Sequence, residues 1–173
     1  MLTKEEADQL IECPKISIDK KKEHKDLDVL ISGVSPVFIT MLSLEDKDMR
    51  FVLHIKQSPK MYLKLTLHFQ TVDNSIPLIR IDYGAGHKNP EISTNNVPNT
   101  LIQYQGKRFE NNEAHIHYYV EGYALRWAIP LSQDGFPIKS IDSLEDIKKA
   151  ILAMGNLVNL QTKLHIDIQE EAL

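Results

Sequence analysis

The fold turns on Arg50–Gln70, RFVLHIKQSPKMYLKLTLHFQ, where apolar side chains recur at every second residue. In the first half Phe51, Leu53 and Ile55 share one face, with Val52, His54 and Lys56 on the other. In the second half Met61, Leu63, Leu65, Leu67 and Phe69 point inward, and Tyr62, Lys64, Thr66, His68 and Gln70 point outward. Side chains alternate sides along a strand, so this period reads as two half-buried strands rather than a helix. Ser58-Pro59 marks a short turn between them, and the pair reads as a hairpin.

The same period continues on both sides. FITMLSL, 38–44, is a further strand ahead of the hairpin. PLIRIDYG, 77–84, follows it with Ile79, Ile81 and Tyr83 opposite Leu78, Arg80 and Asp82. GAGHKNPEISTNNVPNT, 84–100, is irregular and rich in Gly, Asn and Pro, and connections of that length are often functional. Strand character resumes in EAHIHYYVEGYALRWAIPL, 113–131. There His115, His117 and Tyr119 share one face and Ile116, Tyr118 and Val120 the other. Gly122 permits a bend, and ALRWAIPL is expected to align Leu125, Trp127 and Ile129 on a last strand.

Helical signals lie at the two ends. Thr3 and Glu6 have capping-box spacing, Ala7, Leu10 and Ile11 form an apolar side, and Pro14 ends the segment. Ser143 caps a second helix whose Leu144, Ile147, Ile151, Met154 and Val158 make a stripe against the sheet. The tail KLHIDIQEEAL adds an edge strand and then frays. Lys15–Asp28, KISIDKKKEHKDLD, carries a charge run from Lys20 to Lys25 that reads as a solvated loop or hairpin tip, with a phosphate-contacting arm as the sharper alternative. The expected fold is α+β: a single domain over 1–173 with a mainly antiparallel sheet at about 37–131, a short N-terminal helix, and a longer C-terminal helix at about 143–160 packed against the sheet.

Composition narrows the function classes. With 173 residues, 42% of them hydrophobic, the chain is long enough for one real core. A net charge of −4 and a pI near 6.0 argue against broad nucleic-acid binding, which needs a strongly basic surface, but leave room for a local basic face. The single cysteine, Cys13, cannot form an intrachain disulfide and suits a reducing compartment. No apolar run approaches the ~20 residues needed to span a bilayer, and the acidic start is unlike a signal peptide, so a cytoplasmic protein without membrane contact is expected.

Phosphate-loop, dinucleotide, serine-hydrolase, zinc-protease and paired-cysteine motifs are all absent. The polar sheet face remains, expected to be wet and to carry His54, Lys64, Thr66, His68, Arg80, Asp82, His115, His117, Tyr119 and Arg126. Histidines can exchange protons near neutral pH, and cations stabilise phosphate charge. A metal-independent ribonuclease would use His115 or His117 as base, His87 as acid and Tyr119 as an assistant. Arg80, Lys88, Asn89 and Glu121 would bind the substrate. Alternatively, His87, His115 and His117 ligate a divalent metal with Asp82 or Glu121 as carboxylate; the first reading needs no cofactor. A third reading is a non-enzymatic module docking on RNA or on a host or phage protein, in which the histidines, Asn89 and Glu121 hold the loop on the sheet by hydrogen bonds. Exposed strand edges leave a homodimer open.

LIRIDYGAGHKNPE and HIHYYVEGYALRWAIPL together resemble a family of small bacterial and prophage proteins of unknown function, marked by a His-(Lys/Arg)-Asn-Pro loop and a His-x-His-x-Tyr-x-Glu-Gly strand. The matching positions are Asp82, Gly84, His87, Lys88, Asn89, Pro90, His115, His117, Tyr119, Glu121, Gly122 and Trp127, and the opening LTKEEADQLI also fits. The likeness covers most of the chain through Leu131. Two departures stand out: a longer segment between the motifs, and the helix after Leu131, which reads as an addition. The resemblance implies a role in phage–host conflict, as a toxin, an abortive-infection factor or an inhibitor of host defence.

Overall fold

A computed structural model describes residues 1–58 and 63–169. Its centre is an eight-stranded sheet built outward from the expected hairpin. Strand β4 (Val37–Ser43) pairs antiparallel with β5 (Arg50–Gln57), β5 with β6 (Leu65–Thr71), and β6 with β7 (Pro77–Tyr83). The inward set Phe51, Leu53, Ile55, Leu65, Leu67 and Phe69 is almost completely buried, as the alternation requires. Leu63 departs from the reading: it lies in the turn before β6 and is exposed. The expected places of Pro59, Met61 and Tyr62 lie outside the described residues.

The sheet is wider than 37–131. Lys15–Asp19 is strand β1, antiparallel to β4, and Lys22–His24 is β2 beside it. The lysine run is therefore the tip of a hairpin, with Lys20 and Lys21 both at positive φ as a tight turn demands. Asp26–Ile31 (β3) leaves this sheet. It pairs in parallel with β12 (Lys163–Ile168), the tail strand, and residues 170–173 fall outside the described part. Only this pair breaks the antiparallel pattern among the named strand pairs of the described residues.

Helix α1 (Lys4–Glu12) carries the full capping box between Thr3 and Glu6 and buries Ala7 and Ile11. Helix α3 (Leu144–Leu157) is capped by the Ser143 side chain and buries Ile147, Ile151 and Met154. Both join one continuous core with the inner face of β4–β7 and with Val29, Ile31 and Leu164 of the parallel pair. No helix among the described residues is long and apolar enough to cross a membrane.

At the other end of the sheet β10 (His115–Tyr118) pairs antiparallel with β7 and with β11 (Ala128–Pro130). The last strand is shorter than expected. Val120 bridges to Ala124, and Gly122 and Ala124 take positive φ, so 121–125 is a turn and not a strand. Leu125 consequently joins the main core, while Trp127 packs with Val97, Leu101 and Val120 in a second small cluster. The irregular segment is also more ordered than its composition suggests. It holds β8 (His87–Lys88) paired with β9 (Arg108–Phe109), and a short helix α2 (Asn99–Ile102).

Candidate metal centre

Register brings the site together. Across the β7–β10 pair His115 lies opposite Asp82 and His117 opposite Arg80, so alternation puts all four side chains on the outer face of the sheet. That face is not wet here. His115 and His117 are 0% exposed and Asp82 is 5% exposed. The cover is the β8–β9 segment. Phe109 packs on His115 at 4.7 Å between ring centroids, and the His87 ring lies 4.6 Å from His117 and 5.7 Å from His115. The cover sits close because Gly86 lacks a Cβ, which would meet Asn111 Oδ1 at 3.1 Å and the Phe109 carbonyl at 3.3 Å.

Asn89 fastens this roof. Its amide nitrogen donates to the carbonyls of Tyr104 (3.0 Å) and Ala128 (2.8 Å), and its oxygen accepts from the Ala128 N–H at 2.8 Å. His87 Nε2 lies 3.1 Å from both Asn89 Oδ1 and the Arg126 carbonyl. Both neighbours are acceptors, so Nε2 carries the proton and Nδ1 keeps the lone pair.

The same reasoning assigns His115. Its Nδ1 is 2.9 Å from the Glu113 carbonyl and must donate, which leaves Nε2 bare. That Nε2 has no hydrogen-bond partner, and Asp82 Oδ2 stands 3.7 Å away. His117 Nε2 lies 3.3 Å from Asp82 Oδ2 and 3.1 Å from an Arg80 nitrogen, while its Nδ1 is buried without a partner. Asp82 also accepts from Arg80 Nε at 2.7 Å and from the Thr66 hydroxyl at 2.9 Å.

These contacts set the protonation states. Burial pushes the His117 imidazolium down to about 4, Arg80 adds to the effect, and Asp82 opposes it without reversing it. Burial also disfavours ionised Asp82, yet the bond from His117, the Arg80 charge and the Thr66 hydroxyl hold its carboxyl well below the usual range. His87 is lowered too, chiefly by burial. A neutral imidazole beside a carboxylate is the form in which both bind metals.

One potential ligand atom from each of Asp82, His115 and His117 lies within 4.8 Å of the others. Bonds of about 2.0–2.1 Å in a tetrahedral site place ligand atoms about 3.3 Å apart, close to the two histidine–carboxylate distances.

The remaining expected residues divide. Arg80 and His87 belong to the centre, and Asn89 braces its roof. Lys88 instead pairs with the exposed Glu91. Tyr119 lies beyond the end of β10 and turns into the main core, where its hydroxyl donates to the Leu2 carbonyl at 3.0 Å, so it does not share the histidine face. Glu121 sits in the turn that follows. Of the outward set, His54, Thr66 and His68 stay on the part of the face that the roof leaves open. Phe109, which covers His115, was invisible in the sequence: it is a lone aromatic in a charged segment.

The chain belongs to a family of unknown function, DUF6978, whose model matches residues 2–160. The match runs through α3, so that helix is part of the family and not an addition to it. No curated protein and no solved structure matches the chain.

Proposed function

We propose that the protein is a binding module built around a structural divalent-metal site, with Asp82, His115 and His117 as ligands and His87 above them. The observation that carries the reading is the pair of fully buried imidazoles whose Nε2 atoms both face the ionised Asp82 carboxylate, at 3.7 Å from His115 and 3.3 Å from His117, with His115 Nε2 lacking any hydrogen-bond partner. Buried polar atoms are rarely left unpaired, and a cation beside Asp82 supplies what the His115 Nε2 lone pair lacks. Nitrogen-rich donors with one carboxylate suit zinc-class ions. His115 and His117 are 0% exposed beneath the roof, which favours an ion that holds the fold together over one that meets a substrate. The ribonuclease reading asks the same histidines to reach a phosphate, and the roof of His87 and Phe109 stands in the way.

The biological setting we propose is the one the loop and strand motifs suggest, conflict between mobile elements and their hosts. Expressing the protein in a bacterium challenged with phage would then change plaque numbers, and unchanged counts across a phage panel would remove that setting.

The metal reading is tested by titrating metal-free protein with zinc. One equivalent should bind, and a hundredfold excess over Kd should raise the Tm by about 5–10 °C. The effect should vanish in His115→Asn, checked by circular dichroism for native structure. Binding of equal affinity in the folded variant would defeat the reading.

A further inference from the structure

The roof covers only the β7–β10–β11 end of the outer sheet face. Over β4–β6 the face is open, and its side chains form rows that cross the strands. One row is continuous in register: Phe38 opposite His54, His54 opposite His68, and His68 opposite Arg80. Phe38 is 56% exposed, and its ring meets His54 edge-on at 4.7 Å. His54 in turn lies 5.6 Å from His68. Burial lowers the pKa of both histidines, so at neutral pH they are flat uncharged rings. A large exposed aromatic at the head of such a row is not explained by core packing, because the core lies on the opposite face.

Charge on this face runs against that of the molecule. The chain has 24 acidic and 20 basic residues. Yet the outward positions of β4–β6 hold Arg50 and Lys56 and no acid, while on β7 Arg80 and Asp82 pair with each other. A ligand matching this pattern offers flat rings at intervals and a negative charge beside them. We infer that the open face of β4–β6 binds single-stranded nucleic acid, with bases stacked on Phe38 and His54 and phosphates on Arg50 and Lys56. Stacking on aromatic side chains with a cationic track is how single strands are held without sequence readout. Duplexes are excluded because their bases are already stacked and their edges face one another. The inference is independent of the metal site, which lies under the roof.

The test is fluorescence anisotropy with a labelled oligouridylate of about ten nucleotides, a length a single small domain can track. Binding should weaken with salt at a log–log slope of about −1.4, from two cations at about 0.7 each. Phe38→Ala should weaken it roughly tenfold. Lys56→Gln should reduce the slope, and an RNA duplex should bind far less well. Both substitutions are at exposed positions, so folding is not at stake. No binding at low salt, equal binding of the duplex, or an unchanged Kd in Phe38→Ala would overturn the inference. So would a self-association, seen by sedimentation, that Phe38→Ala abolishes, since the face would then belong to a second copy of the chain.

Discussion

Asp82 and His115 are direct partners across the β7–β10 pair, and they turn two lone pairs toward each other: carboxylate Oδ2 and imidazole Nε2 lie 3.7 Å apart with no hydrogen bond between them. In water such an arrangement would relax. Here Phe109 and His87 close it off, while Glu113 holds the other His115 nitrogen. Arg80 answers the Asp82 charge but cannot satisfy His115 Nε2, which stays without a partner.

The metal-free protein should weaken in acid in two stages. The folded-state pKa of His117 is about 4 against an ordinary 6.5, because burial disfavours its charged form. Between those values the unfolded chain binds the proton and the folded one resists it, so stability falls as pH drops from 6.5 toward 4, by roughly 3 kcal/mol. Asp82 acts in the same direction at lower pH: its folded pKa is below the ordinary 3.8, so the stability it contributes above that value is lost as pH falls past it. Urea melts at a series of pH values check this. His117→Asn should flatten the upper stage, and a flat wild-type profile from pH 6.5 to 4.5 would contradict the assignment.

Arg80 stands where a metal cation would act. It touches Asp82 Oδ2 and His117 Nε2, and its side chain is 33% exposed. Arg80→Met should therefore destabilise the metal-free fold while tightening zinc binding about tenfold, or 1.4 kcal/mol. Calorimetric titration paired with a denaturation curve reads both signs. A fall in affinity would show that Arg80 supports the site instead of competing for it.

Asn89 makes its hydrogen bonds almost out of solvent, to Tyr104, to both backbone groups of Ala128, and to His87. Asn89→Ala leaves those groups unpaired, and unpaired buried groups cost about 1–3 kcal/mol each. A loss of about 3 kcal/mol by chemical denaturation is expected, with faster amide exchange in β8 and β9. Unchanged exchange there would mean that the roof is held by other contacts.

Lys15 is fully buried. Its ammonium donates to the carbonyls of Ile11 (2.9 Å), Cys13 (2.7 Å) and Val158 (2.9 Å), and lies 4.7 Å from the centre of the Phe51 ring. It thus joins the C-terminal ends of α1 and α3, where helix carbonyls lack partners. Lys15→Met keeps the length but removes the donors, and should cost about 3 kcal/mol in a urea melt. An unchanged midpoint would show that water replaces the ammonium there.

These residues also show how far the sequence carries. Alternation in Phe51–Ile55 and Leu65–Phe69 specified the hairpin because strand geometry is local, and Thr3 with Glu6 marked α1 for the same reason. Lys15–Asp19 hides as a strand because it runs into a charged stretch, and only the tertiary contacts reveal Lys15 as a buried cation. The pairing of β3 with β12 joins distant segments, which no periodicity encodes. At the site, the types and spacing of His87, His115, His117, Arg80, Asp82 and Asn89 were legible. Their burial was not, since the cover is a pair of two-residue strands around Gly86. Tyr119 was misplaced because alternation was carried one residue past the end of β10.

The most direct test of the metal centre is cobalt(II) absorption spectroscopy on metal-free protein. The account predicts intense visible bands of a low-symmetry, four-coordinate ion, saturating at one equivalent, bleached by zinc, and lost in folded His117→Asn. A spectrum that stays that of the hydrated ion throughout the titration would contradict it, and would leave Asp82, His115 and His117 as a purely hydrogen-bonded cluster under the roof.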